Sequence, residues 1–265
     1  MSAPRIAIGL GVAAVLAPGF LFLPQILVRE RSEAPVAAAA IDRGAVEAIV
    51  RDYLLDNPEL LREMAAALQD RDRVAQSAQL EQVFEKMGEQ IFNSPNQTVL
   101  GNPDGDVTLV EFFDYNCGYC KSALDDMNAL LEKDPQLRIV LKEFPLLSQG
   151  SADAALVSAA VHTTQPERYL EFHRALLAES GAIDGGRALQ VASGLGLDTA
   201  KIEAALSTPE VEAFLREGHT LARALGITGT PSYVIGKEVI PGAVGIETLT
   251  EAIANVRECG ATSCG

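Results

Sequence analysis

Cys117 and Cys120 are separated by Gly118-Tyr119, a spacing used both by redox-active dithiols and by zinc ligands. Residues 107–115 upstream are rich in β-branched and aromatic side chains, which predicts a strand. Residues 121–132 downstream carry apolar side chains at helical spacing. The pair therefore lies where a strand leads into a helix, which is the redox context. At a helix N-terminus, unpaired N–H groups and the macrodipole stabilise a thiolate, the reactive form of cysteine.

Thiol–disulfide exchange assigns different tasks to the two sulfurs. We predict that Cys117, nearer to the helix end, attacks a disulfide, and that Cys120, one turn later, resolves the mixed disulfide. An inert disulfide is the weaker interpretation, because a two-residue spacer closes a ring of marginal geometry. Gly118 and Tyr119 are predicted to contact the substrate and place no formal charge beside Cys117. If the thiolate is less stabilised, the reduced form is less favoured and the protein is a weaker oxidant. Each 1.4 kcal/mol of lost stabilisation changes the reduction potential of this two-electron couple by roughly 30 mV.

Cys259 and Cys264 form a second pair with the spacing C-x4-C. We favour a local disulfide that closes the last helix, and so short a loop contributes roughly 2 kcal/mol at most in the chain-entropy model. A terminal redox shuttle is a second interpretation. Metal binding is the third and least supported interpretation, because no His or acidic residue lies near the pair at the spacing of metal ligands. Neither a metal site nor a cofactor is predicted.

The composition bounds the class of protein. With 265 residues, 48% of them hydrophobic, the chain is long enough for one full domain and an appendage. A formal net charge of −15 argues against nucleic acid as a partner, because phosphate binding needs basic surfaces. The histidines, His162, His173 and His219, share no spacing with the cysteines, and we expect surface or hydrogen-bonded helix positions for them.

The N-terminal part predicts export. Residues 6–28 are almost wholly apolar, which favours assigning 1–28 as a signal peptide or, since the run is long enough to span a bilayer, a membrane anchor. Residues 29–40 are rich in Ala and Pro and are predicted to be a linker. Both interpretations place the remainder outside the cytoplasm, in the periplasm, and residues 6–28 would hold an anchored form at the inner membrane.

Residues 41–92 have helical signals throughout. Asp42 is a candidate N-cap, and Asn57-Pro58-Glu59 reads as the start of a second helix. Apolar residues then recur at heptad spacing, at Leu80, Phe84, Met87 and Ile91. We predict that 41–92 is an oligomerisation segment, because a narrow apolar seam cannot be buried by one helix alone. A helical hairpin packed on its own domain is the alternative.

Residues 93–265 are predicted to form a catalytic domain. Its elements are a short strand at 98–100, the β-α-β unit around the cysteines with its second strand at 138–144, helices over about 150–225, a hairpin with its turn at Gly236, and a helix over 246–258. The two strands of a β-α-β unit are expected to be parallel. This order predicts an α/β thioredoxin fold with a helical insertion, preceded by an N-terminal α-helical extension.

Three motifs resemble the DsbA family of exported bacterial thiol–disulfide oxidoreductases. They are Phe112-Phe113-Asp114-Tyr115-Asn116-Cys117-Gly118-Tyr119-Cys120, Lys142-Glu143-Phe144-Pro145-Leu146 and Gly229-Thr230-Pro231. The extension is similar to that of ScsC-type members, which oligomerise through it, and this similarity depends mainly on Asp56-Asn57-Pro58-Glu59. The strongly oxidising members carry Pro-His between their cysteines, whereas Gly118-Tyr119 resembles the disulfide isomerases of the same compartment.

The resemblance implies roles for residues outside the dithiol. It implies a cis bond before Pro231, next to Cys117, with the Thr230 backbone free to pair with an extended substrate; an ordinary trans proline is the alternative. Glu111 shares strand parity with Cys117, and the resemblance implies that it is a buried acid that takes the proton of the resolving thiol. Lys142 on the next strand is its expected partner. A Glu111 exposed to solvent is the alternative.

These observations predict a thiol–disulfide oxidoreductase that exchanges disulfides with exported client proteins, in an isomerase or reductase direction. A dithiol oxidase that introduces disulfides is the first alternative. A copper-handling protein, with Cu(I) held by soft thiolates, and a chaperone-like thioredoxin-fold binding module are the others. The predicted partners are proteins with thiols or disulfides, a membrane redox partner that resets the dithiol, and further copies of the chain bound through 41–92.

Overall fold

The computed structural model describes residues 42–264, which form two compact units divided between residues 60 and 61. The predicted signal or anchor, 1–28, and the predicted linker, 29–40, lie outside the described residues. In the described part of the chain, no helix is both long and apolar enough to cross a bilayer.

The N-terminal unit contains α1, Arg43–Asp56, and the first residues of α2, Glu59–Asn93. Asp42 caps α1, since its carboxylate accepts from the Gly44 N–H at 3.1 Å. α1 buries none of its residues, and its apolar side chains are exposed. α2 is a single helix of 35 residues. The helix therefore continues without a break through the charged residues 69–73.

The second unit is built on a five-stranded sheet with the order β1-β3-β2-β4-β5. The strands are β1 Thr98–Gly101, β2 Val107–Phe113, β3 Leu137–Glu143, β4 Ser232–Ile235 and β5 Glu238–Pro241. β2 and β3 are parallel and every other neighbouring pair is antiparallel. α3, Gly118–Lys133, connects the parallel pair. The predicted thioredoxin fold is therefore confirmed.

The chain segment that connects β3 to β4 is mainly helical, as predicted. They are α4 Gln149–Thr164, a 3-10 turn Pro166–Arg168, α5 Tyr169–Ala178, α6 Gly185–Gly194, α7 Thr199–Ala205 and α8 Pro209–Ala224. The last helix, α9, covers Ile246–Cys259. α3, α9 and the insertion bury one face of the sheet, because alternate residues of β2 and β3 on that face are apolar.

The other face of the sheet is covered by α2 and α8. The heptad residues Leu80, Phe84, Met87 and Ile91 of α2 pack there together with Val110, Phe112, Val140, Val234 and Leu221. Phe84 and Ile91 are buried and Leu80 and Met87 are half-buried, so this part of 41–92 packs on its own domain, which is the alternative that the sequence left open. The physical reason is that heptad spacing specifies an apolar stripe but not the surface that covers it.

Two cationic side chains of β3, the buried Lys142 and the half-buried Arg138, hold the end of α2 by hydrogen bonds. The Lys142 ammonium donates to the Gln90 carbonyl at 2.9 Å and to the Glu217 carboxylate at 2.8 Å. Arg138 donates to the Phe92 carbonyl at 2.8 Å. The prediction that Lys142 pairs with Glu111 is wrong. The β2–β3 register aligns Lys142 with Phe112, so it points to the opposite face from Glu111.

Replacing Lys142 by Met should lower the free energy of unfolding by about 3 kcal/mol, because Glu217 would keep a charge with no buried cation beside it. Glu171→Gln is the matched control. It removes the exposed Arg168–Glu171 pair and should cost less than about 1 kcal/mol. Urea unfolding monitored by circular dichroism measures both. Equal losses of unfolding free energy in the two variants would contradict the role of Lys142 in holding the end of α2.

Candidate active site: a dithiol facing a cis-proline loop

Cys117 is the N-cap residue of α3, directly after the turn that follows β2. The Cys117 Sγ accepts from the Cys120 N–H at 3.4 Å, and its thiol donates to the Thr230 carbonyl at 3.1 Å. Cys117 is 6% exposed and Cys120 is 1% exposed, whereas Tyr119 between them is 72% exposed. The two thiols are unbonded in this structure. The outer sulfur is thus the one that a substrate reaches first.

The two thiols have opposite pKa shifts. A hydrogen bond from the Cys120 thiol, together with the N–H groups of Cys120 and Tyr119, lowers the pKa of Cys117 to about 5 against the effect of burial. The same hydrogen bond, together with burial and the nearby Glu111, raises the pKa of Cys120 above the ordinary range. At neutral pH the site therefore holds one thiolate and one thiol.

The Thr230–Pro231 peptide bond is cis. Thr230 is half-buried and Pro231 is buried, just before β4. Thr230 is 113 residues from Cys117 along the chain, yet its carbonyl oxygen lies 3.1 Å from the Cys117 sulfur. The antiparallel pairing of β4 with β2 brings the two together, because Ser232 lies opposite Phe112.

Glu111 lies on β2 with 5% of its surface exposed. Burial, and then the charges of Cys117 and Asp126, raise its pKa to about 8. Its neighbours across the sheet, Leu141 and Tyr233, supply no positive charge. The side chain is therefore a neutral acid at neutral pH, on the face of the sheet that carries the dithiol.

Polar contacts that the sequence did not predict hold the residues just before Cys117 in place. The Asn116 side chain donates to the Ile183 carbonyl at 2.7 Å and accepts from the Ile183 N–H at 2.7 Å. Asp114 accepts from the N–H groups of Leu146 and Leu147 at 2.9 and 3.1 Å. The insertion and the β3–α4 loop thus position the dithiol. In the sequence, the only indication of these contacts was the pair of polar residues, Asp114 and Asn116, that follows an apolar strand.

Tyr115 begins a buried hydrogen-bond network below this loop. Its hydroxyl lies 2.7 Å from the Ser158 hydroxyl and 3.1 Å from the His173 Nδ1. Burial lowers the pKa of His173 to about 3, so this histidine is neutral. His173 is therefore a hydrogen-bonded helix residue, as expected. His162 contacts the Thr98 hydroxyl at 2.9 Å.

Cys259 and Cys264 are joined by a disulfide. Both are exposed, and the Thr262 hydroxyl between them contacts the Glu238 carboxylate at the start of β5. β4 runs away from the Cys117 end of β2, because Ile235 lies opposite Leu109. The β4–β5 turn and the disulfide beside it thus lie at the opposite end of the sheet from the candidate active site.

The fold and the dithiol define a thioredoxin-fold protein of the thiol–disulfide exchange class. The family described as "DSBA-like thioredoxin domain" matches residues 108–254, and the chain belongs to this family. The "Copper resistance protein ScsC N-terminal domain" matches residues 42–75. The predicted resemblance to the DsbA family, with an ScsC-type extension, is therefore confirmed.

Solved structures similar to the chain include the following two. A thioredoxin-like oxidoreductase from Silicibacter pomeroyi DSS-3 is 41% identical, covers 64% of this chain and 98% of its own, and superposes with a TM-score of 0.62. Proteus mirabilis ScsC in a transitional conformation is 29% identical, covers 81% of this chain and 96% of its own, and has a TM-score of 0.62.

Curated relatives match a shorter region. Disulfide bond formation protein D of Bacillus subtilis is 27% identical over 167 residues, which is 59% of this chain and 75% of that protein. The Na(+)/H(+) antiporter NhaA of Herminiimonas arsenicoxydans is 27% identical over 158 residues, or 58% of this chain. The chain spans about a quarter of the length of that antiporter (25%).

Alkylation of Cys117 by iodoacetamide should follow a pKa of about 5 in the reduced protein. Cys120→Ala should move the midpoint upward, because it removes the thiol that donates to the Cys117 sulfur. Ser122→Ala, which removes an exposed hydroxyl from the same helix turn, should leave the midpoint unchanged. The ultraviolet absorbance of the thiolate provides the second measurement. An unmoved midpoint in Cys120→Ala would contradict the assigned hydrogen bond.

Glu111→Gln should become progressively more stable than the wild type between pH 4.5 and about 8, the ordinary and the raised pKa of Glu111. The folded state binds the Glu111 proton more tightly than the unfolded state, so wild-type stability falls as pH rises through this window. The difference should reach at most about 5 kcal/mol by linkage. Urea unfolding of both proteins across the window measures it, and Glu143, whose pKa burial also raises to about 8, is present in both. A difference in the free energy of unfolding that does not change with pH would rule out the raised pKa of Glu111.

Proposed function

We propose that this protein exchanges disulfides with exported client proteins through Cys117 and Cys120. The observation that carries the proposal is the low pKa of Cys117, whose sulfur lies between the N-terminus of α3 and the Thr230 carbonyl. A thiolate in that position is nucleophilic at neutral pH. Membership in the DSBA-like family supports the same activity.

The first step is attack by the Cys117 thiolate on a client disulfide. The client S–S bond breaks, a mixed disulfide forms at Cys117, and one client sulfur leaves as a thiolate. This step also removes the negative charge of Cys117, one of the charges that raise the pKa of Glu111. Glu111 then gives its own proton more easily to the leaving client thiolate or to water, and the carboxylate so formed can accept the proton of Cys120.

The second step determines the direction of electron flow. If the Cys120 thiolate attacks the Cys117 sulfur, the client leaves as a dithiol and the Cys117–Cys120 disulfide forms, which is net reduction. If the freed client thiolate instead attacks another client disulfide and later displaces Cys117, the client is isomerised with no net redox change. Oxidation of a client dithiol is the reverse of reduction and starts from the Cys117–Cys120 disulfide.

We favour isomerase or reductase use over oxidation. The Gly118-Tyr119 spacer places no charge beside the Cys117 sulfur. Hydrogen bonds alone stabilise the thiolate, so the reduced form is less favoured than it would be beside a cation. A client reductase needs a donor of electrons, and we propose a membrane redox partner that returns Cys117 and Cys120 to the dithiol.

We further propose that the chain assembles through residues 42–75, the region that matches the ScsC N-terminal domain. The support is a set of apolar side chains left exposed there, including Ile49 and Tyr53 on α1 and Leu61, Met64 and Leu68 on α2. Residues 61, 64 and 68 recur at helical spacing and form one stripe. Several dithiols on one assembly would raise the effective concentration of active sites around a misbridged client.

We also propose periplasmic localisation, supported by the apolar sequence at 6–28 and by the family match. Export as a cleaved or an anchored form is compatible with the same chemistry, since both place the dithiol in an oxidising compartment. Mass spectrometry of the N-terminus of protein from a membrane-free periplasmic extract distinguishes the two forms.

Refolding of ribonuclease tests the direction of exchange. The reduced protein with scrambled ribonuclease should regenerate native enzyme, and Cys117→Ala should not. The disulfide form with reduced ribonuclease should produce activity more slowly, since that assay requires oxidation. A faster second reaction would favour the oxidase. Tight stoichiometric Cu(I) binding without turnover in either assay would favour the copper-handling alternative.

Met64→Glu combined with Leu68→Glu should dissociate the assembly, because two charges would enter the apolar stripe. The matched control is Ala66→Glu combined with Gln69→Glu, which adds the same number of charges on the side of the helix away from Met64 and Leu68. Sedimentation velocity gives the oligomeric state. Isomerisation of scrambled ribonuclease should fall in the first variant and persist in the second. A monomeric wild type would exclude assembly through this region.

A further inference from the structure

Tyr233 is the polar side chain that β4 places on the dithiol face of the sheet. It lies opposite Glu111 in the β2–β4 register, whereas Ser232, the residue before it, faces the other side. The Tyr233 side chain is 2% exposed and belongs to the apolar cluster that contains both Cys117 and Cys120. Residues directly opposite each other in an antiparallel pair have Cβ atoms roughly 5 Å apart. Tyr233 is therefore an immediate neighbour of the buried acid.

Tyr233 is also the hydrogen-bond donor that the sheet offers to Glu111. Leu141, the neighbour of Glu111 on β3, is apolar. Besides the dithiol, α3 contributes Asp126 to the surroundings of Glu111, and α9 contributes Glu247, whose charge acts on Asp126. These ionisable groups are all acidic, so none of them would stabilise a negative charge on Glu111. Burial and the nearby acidic groups raise the pKa of Tyr233, so its hydroxyl keeps its proton and remains a donor.

A donor is needed in the second step of disulfide exchange. While Cys117 is a thiolate, Glu111 is neutral, because burial and the charge of Cys117 raise its pKa to about 8. The mixed disulfide removes that charge, and the carboxylate that then forms is buried. A buried carboxylate without a hydrogen bond is costly. Hydrogen bonds of this kind often tighten only in the reacting complex, when the charge that they stabilise is present.

We infer that the Tyr233 hydroxyl donates a hydrogen bond to the Glu111 carboxylate in the mixed-disulfide state and so stabilises the group that accepts the proton of Cys120. The inference rests on the proposed function and assigns a positioning residue to its second step. In that step the Cys117–Cys120 bond forms and the bond between Cys117 and the client breaks. The client leaves as a thiolate, and the Cys120 proton moves to Glu111. Tyr233 keeps its own proton throughout.

Tyr233→Phe tests the inference, because it removes the hydroxyl and retains the ring. Reduced protein is mixed with a saturating concentration of glutathione disulfide, quenched in acid and alkylated, and mass spectrometry separates the mixed disulfide from the Cys117–Cys120 disulfide. Loss of the donor raises the pKa of Glu111, so the midpoint of the pH–rate profile for resolution should move upward by about one pH unit. Below that midpoint, the variant should resolve the mixed disulfide about tenfold more slowly. Formation of the mixed disulfide in a Cys120→Ala background should be unchanged.

Tyr169→Phe is the matched control, since it removes another buried hydroxyl, one that donates to Glu143 rather than to Glu111. Its resolution rate and midpoint should match those of the wild type. Tyr233→Phe combined with Glu111→Gln should resolve no more slowly than Glu111→Gln alone, because both changes act through one carboxylate. A wild-type midpoint in Tyr233→Phe, or an equal shift in Tyr169→Phe, would overturn the inference and leave the exchange activity standing. Failure of the wild type to form any mixed disulfide at Cys117 would overturn both proposals.

Discussion

The close approach of the Cys117 and Cys120 thiols at the N-terminus of α3 is the constraint on which the candidate active site depends. It lowers the pKa of Cys117 and raises that of Cys120, so one residue pair supplies both a nucleophile and a protonated resolving group. Burial opposes the Cys117 thiolate, and the neighbouring N–H groups offset it. No formal positive charge contributes to this stabilisation.

The pKa of Glu111 is coupled to this interaction. Its acidity is coupled to the charge on Cys117, so the state of the outer sulfur influences when the buried carboxyl ionises. Lys142 cannot interfere, because the register of β2 and β3 directs it to the other face of the sheet, where it fastens α2. The two faces thus separate the redox chemistry from the attachment of the N-terminal helix.

The support around the dithiol comes from distant parts of the chain. Asn116 binds the segment after α5, Asp114 binds the β3–α4 loop, and Thr230 approaches from the start of β4. Each contact restricts the residues next to Cys117 without touching a reacting atom other than its sulfur. The helical insertion therefore has a structural reason to lie over the active-site loop, since the loop's polar groups would otherwise be buried without partners.

Local patterns were sufficient to predict most of the fold. The alternation of strand and helix periods, the C-x-x-C at a strand–helix junction, and the hairpin turn at Gly236 are all encoded by neighbouring residues. Contacts between distant segments were not predictable in this way. Heptad spacing in α2 predicted an apolar stripe, but only the tertiary structure decided that the sheet covers it. Likewise, the residue types of Glu111 and Lys142 suggested a pair, and the strand register separated them. The physical reason is that periodicity defines which side chains share a face, whereas packing decides which faces meet. The dithiol was therefore determined by the sequence, and the contacts of Asn116 and Asp114 that hold the residues before it were decided by the fold.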